Sequence, residues 1–156
     1  MIFSTVVSGQ ENELSKIRNL YQRAPERETA AKELLKITED YRKEDPVLFA
    51  YKGAAHMMMA KHVINPFTKM SHFNKGKKIY SAAIEADPKN MELRFLRYSV
   101  QSEAPGFLGY KQNVEEDKTL LLKNTKQLQD PGLKKMIVEY LLSSDGLSSA
   151  EKEKLK

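Results

Sequence analysis

The chain has no cysteine, which excludes disulfides, zinc–thiolate sites and thiol catalysis. Between Pro46 and Ile84 there is no aspartate or glutamate, although that stretch carries Lys52, Lys61, Lys69, Lys75, Lys77 and Lys78. No apolar run approaches the length a membrane span needs. Neither a glycine-rich phosphate loop, a G-x-S-x-G elbow nor an H-E-x-x-H pair is present. With no carboxylate near the histidines in sequence to orient them, nothing announces an acid–base pair, so no enzyme activity, cofactor or resident metal is expected. Strand patterning is absent as well.

What is present suits a helical domain. The 156 residues are 40% hydrophobic and 30% charged, enough to bury a core without staples. The net charge is +5, so residues outside the acid-free middle sum to −1. That basic middle suits acidic partners. Its cations are all lysines, without the arginine and aromatic interleaving that reads bases, which argues against nucleic acid.

Prolines at 25, 46, 66, 88, 105 and 131 divide the chain into helix-sized pieces. Three of them follow aspartate: Asp45-Pro46, Asp87-Pro88 and Asp130-Pro131, 42 and 43 residues apart. Aspartate at N-cap accepts from free backbone amides and proline at N1 loses no bond, so each step predicts a helix start, and its recurrence predicts an internal repeat. Periodicity places helices near 11–23, 26–42, 48–62, around Phe73–Ile84, near 89–101, after Asn113, and around Met136–Leu141. Asn113 with Glu116 reads as a capping-box-like start, and Ser148 with Glu151 caps a short last helix.

Residues 1–10, MIFSTVVSGQ, read as a stretch outside the helices. Ile2–Val7 are apolar and rich in β-branched residues, and small residues follow at Ser8 and Gly9. That pattern suits the remnant of a secretory signal or a disordered N-terminus. A periplasmic or secreted location is expected from it, with a cytoplasmic one as the alternative.

The stretch GKKIYSAAIEADPKN resembles the second helix and exit turn of a tetratricopeptide repeat, with Gly76, Tyr80, Ala83 and Pro88 at the family's small, aromatic, small and proline offsets. Leu14, Ile17 and Tyr21 match first-helix apolar positions and Gly53 the small position, whereas Arg18 and Arg97 stand where that small residue belongs. At a narrower level, AYKGAAHMMMAKHVINPF, ELRFLR and FLGY are similar to stretches of short exported proteins of Bacteroidota, which implies export and a repeat fold but no chemistry. The tetratricopeptide resemblance implies an all-α fold over residues 11–156: a right-handed stack of antiparallel hairpins, about seven helices plus a short C-terminal cap. It also implies a concave groove lined by first helices, holding Asn19, Gln22, Arg23, Met57, Met58, Arg94, Tyr98 and Gln101, with His56 packed between paired helices. A methionine floor with arginine sides would take an acidic, apolar protein or peptide segment. The expected function is therefore a non-catalytic protein- or peptide-binding module. Against it stands a groove filled by the chain's own C-terminal helices or a turn.

The alternative is a small-ligand or soft-metal carrier. HMMMAKHVINPFTKMSHF holds all three histidines and four of the seven methionines, and soft metals accept both ligand types. His56 and His62 lie about 120° apart around a helix, too far for one ion to take both easily. Two turns, VINPFTK and SEAPGFLGYKQ, are unusually apolar. Stacked hairpins would bring Phe67 beside Phe107, Leu108 and Tyr110, with His62, Asn65 and His72 alongside. Packing down onto the protein is the expected fate of such loop residues.

Overall fold

A computed structural model describes the backbone of residues 2–156 and the side chains from Gly9 onward. Among the described residues the protein is all-helical, 76% helix with no strand. The helices are α1 Ile2–Arg23, α2 Glu28–Thr38, α3 Pro46–His62, α4 Pro66–Ala86, α5 Met91–Glu103, α6 Val114–Asn124, α7 Pro131–Ser143 and α8 Ser149–Glu153, with single 3-10 turns at Gly106–Leu108 and Thr125–Gln127. Contacts group them into two compact units, Met1–Asp87 and Pro88–Lys156, divided within an Asp-Pro step.

Several helix starts follow the capping chemistry; α2, with Arg27 at its N-cap and no side-chain cap bond, does not, and two expected caps behave differently. Asp45 accepts from the Leu48 amide and Asp130 from the Leu133 amide, each with proline at the first helical position. Asn65 does the same for α4, accepting from the amides of Phe67 and Thr68 at 2.9 and 3.1 Å. Asp87, expected to open a helix, instead closes α4, and Asn90 caps α5 three residues later. The recurring Asp-Pro step is thus not one repeated device. Asn113 sits at the N-cap of α6 without a side-chain cap bond, because its amide group is engaged by Gln101. Ser148 and Glu151 form the full capping box.

The first helix is also longer than expected. It begins at Ile2 rather than near residue 11. Nothing from Ile2 to Gln10 interrupts it: there is no proline, and a helix tolerates one glycine at a cost of about 1 kcal/mol. Met1 and the side chains of residues 1–8, with the signal-remnant expectation that concerns them, lie outside the described residues.

In the first unit α3 is buried nearly all round, through Ala50, Tyr51, Gly53, Ala54, Ala55, Met57, Met59 and Ala60. A helix that is apolar on every side belongs in the middle of a packing unit, and α3 touches α1, α2 and α4. Ile17, Leu20 and Tyr21 of α1 and Ala30, Ala31 and Leu34 of α2 are buried. The Tyr21 and Tyr51 rings meet edge to face at 5.8 Å.

The closest packing is between α3 and α4, at two glycines. A Cβ on Gly53 would come within 2.9 Å of Ile79 Cγ2 and 3.1 Å of Tyr80 Cδ1, and one on Gly76 within 3.0 Å of the Gly53 carbonyl oxygen. Phe73, Gly76, Tyr80, Ala83 and Ile84 form the buried stripe of α4. The other end of that helix is bare: residues 64–71 are exposed without a break.

In the second unit Leu93, Phe95, Leu96 and Tyr98 of α5 are buried, as are Leu121 of α6 and Leu133, Met136, Ile137 and Leu141 of α7. Tyr140 meets Phe95 at 5.4 Å and Tyr98 at 6.4 Å, both edge to face. Asp117, fully buried on α6, binds two arginines of α5. Arg97 grips it with Nε and Nη2, both at 2.7 Å, and Arg94 Nη1 reaches it at 2.7 Å.

Candidate functional site

Three places carry side chains that chemistry or recognition could use: the ends of α1 and α3, the histidine pair between α3 and α4, and the exposed beginning of α4.

At the first place, His62 Nε2 lies 2.6 Å from the carbonyl oxygen of Ala24, which ties the last turn of α3 to the residue just beyond α1. Met58 is one helical turn before His62 and shares its face; it is half-buried. Asn19, Gln22 and Arg23 are exposed on the last turns of α1. These four are the residues of the expected groove that remain accessible.

The other groove residues are placed differently. Met57 is buried against Gly76, so it fills the hairpin. Tyr98 and Gln101 are fully buried. The Tyr98 hydroxyl has no hydrogen-bond partner among the described residues and lies where a Cβ on Gly146 would fall within 2.6 Å of it. Burial raises its pKa. Gln101 donates to Asn113 Oδ1 at 3.2 Å and accepts from the Asn113 amide at 3.0 Å. Arg94 is occupied by Asp117, by Glu116 at 2.9 Å and by the Pro88 carbonyl at 2.8 Å. Its hydrogen bond and charge pull the Glu116 carboxyl below the usual range. In this unit the carboxylates meant for a peptide are supplied by α6.

At the second place, His56 of α3 and His72 of α4 face each other, Nδ1 to Nδ1 at 2.9 Å with ring centroids 5.2 Å apart. One nitrogen donates and the other accepts, so the accepting ring is neutral and the two rings cannot both be charged. Burial, then the charges of His72, Lys75 and Lys52, push the His56 pKa down to about 4. Burial and Lys75 lower His72 as well. The same lysines oppose a bound cation. Among the described residues no three His, Asp or Glu side chains converge on one point.

At the third place, Ile64 and Phe67 are 94% and 86% exposed and Met70 is 43% exposed. Asn65 is spent on capping. A residue before the N-cap normally staples against the fourth helical residue, but that position is Lys69, so Ile64 has no apolar partner. That mismatch was readable in the sequence and explains why Ile64, in a turn already noted as apolar, does not pack down as expected.

The edge-loop residues therefore part company. Phe67 and Phe107 were expected to pack down but stand clear of the protein, Phe107 at 87% exposure. Leu108 and Tyr110 are half-buried, and burial raises the Tyr110 pKa while Gln101 opposes it by hydrogen bonding. Phe67, His62, Asn65 and His72 belong to the first unit; Phe107, Leu108 and Tyr110 belong to the second.

No protein-family model, curated protein or solved structure matches the chain. No helix among the described residues is long and apolar enough to cross a membrane.

Proposed function

We propose that this chain is an exported, non-catalytic protein- or peptide-binding module built from tetratricopeptide-like hairpins. The glycine-to-glycine approach of α3 and α4 supports the hairpin reading, since the family resemblance puts small residues at Gly53 and Gly76. One observation supports the binding reading: the His62–Ala24 link joins the ends of α1 and α3, whose last turns carry Asn19, Gln22 and Arg23, all exposed, and half-buried Met58. A flexible thioether on one of these helix ends, with a guanidinium and two amides on the other, suits an apolar peptide segment that carries a carboxylate.

Selection from a displayed library of random peptides tests this. Wild-type protein should enrich acidic, apolar sequences. Fluorescence anisotropy with a selected peptide should show about tenfold weaker binding to an Arg23→Glu, Met58→Ser variant. Equal binding by that variant, or no enrichment by wild type, defeats the proposal.

A further inference from the structure

The exposed start of α4 follows directly on the His62 end of α3 but uses different side chains and has its own character. Eight consecutive residues, 64–71, are exposed, and within them Ile64, Phe67 and Met70 are the large apolar side chains. The exposures of Ile64 and Phe67 mean that these two project into solvent from the end of the hairpin. Exposed Lys61 and Lys69 flank them, and no ion pair engages either lysine among the described residues. The acid-free run from Pro46 to Ile84 keeps carboxylates off both helices of this end. Glu28, whose field reaches His62, is paired with Lys32 at 2.7 Å.

From this arrangement we infer that the turn between α3 and α4 docks on an anionic phospholipid surface, with Ile64 and Phe67 entering the headgroup layer and Lys61 and Lys69 meeting lipid phosphates. A protein partner fits less well. A stable protein interface needs about 800 Å² per partner and a complementary shape, whereas two projecting side chains and a partly exposed Met70 offer a small contact. A lipid interface needs only apolar groups that reach below the headgroups and cations that remain at their level. Attraction of lysines to anionic lipid then adds to partitioning of the apolar side chains.

The test is flotation of the full chain with phosphatidylcholine vesicles, with and without about one-third phosphatidylglycerol. Wild type should float with the anionic vesicles and bind neutral ones about tenfold more weakly, the difference shrinking as salt rises. An Ile64→Ser, Phe67→Ser variant alters only exposed positions, so its helical circular dichroism should be unchanged while its affinity for anionic vesicles falls about tenfold. Absence of wild-type flotation overturns the inference. So does undiminished flotation of the variant, because lysines alone would then account for binding. If those two substitutions instead abolish a dimer of wild type and vesicles play no part, the patch is a contact between copies of the chain. The peptide measurement uses Arg23 and Met58 alone, so either proposal can fail without the other.

Discussion

At the scale of single residues, the two facing glycines of α3 and α4 set how near those helices come. Alanine is the better helix former by about 1 kcal/mol, so an unobstructed glycine gains from the exchange. Gly9 is such a position, with nothing within 4 Å of an added Cβ. Gly76 is not. Met57 could swing aside, but the Gly53 carbonyl at 3.0 Å is backbone and cannot. Overpacking of this kind costs about 1–3 kcal/mol, which exceeds the helix gain. Urea titration should show Gly76→Ala less stable than wild type by about 1–2 kcal/mol, with Gly9→Ala unchanged or slightly more stable. The misplacement of Arg94 belongs to this scale too. An arginine at an expected groove position reads as a ligand-holding residue when its partner lies 23 positions away, and only folding brings Asp117 to it.

At the scale of elements, the α3–α4 hairpin carries a pH dependence. Unfolded histidine titrates near 6.5, and in the hairpin His56 is lowered to about 4, with His72 also lowered. Below pH 6.5 the unfolded chain therefore binds protons that the folded one refuses. The contribution is fully present above that pH and is lost as pH falls toward 4. Glu28, Glu116 and Glu151, shifted down from 4.5, act lower on the scale. Urea midpoints should fall from pH 6.5 to 4.5 for wild type and more gently for a His56→Gln, His72→Gln variant; parallel profiles would contradict the assignment. Helix positions were largely legible because proline and cap residues act locally. Asp45-Pro46 and Asp130-Pro131 opened helices as their chemistry requires. Asp87-Pro88 did not, because an aspartate that ends one helix looks the same in sequence as one that begins the next, and Asn90 stood ready to cap. The histidine pairing was out of reach for a different reason. Sixteen residues and a turn separate the rings, and their facing depends on how closely two glycines let the helices approach.

At the scale of the whole molecule, circular dichroism of the full chain should give a helical fraction near 76%; a substantial strand signal would contradict the architecture. Class was readable from punctuation and periodicity. Which surfaces stay open was not, since that follows from how the helices pack: Tyr98 and Gln101 are buried within their own unit while Ile64 stays out. Charge is distributed as unevenly as apolar surface. Residues 1–45 hold eight basic and nine acidic side chains, while 46–84 hold six basic and none acidic. The first unit is therefore an electric dipole whose positive pole is the α3–α4 hairpin. Near a negatively charged boundary it experiences a torque before any atom touches. Rotational diffusion is then biased toward presenting the Ile64–Phe67 end first, and added electrolyte makes the approach isotropic again.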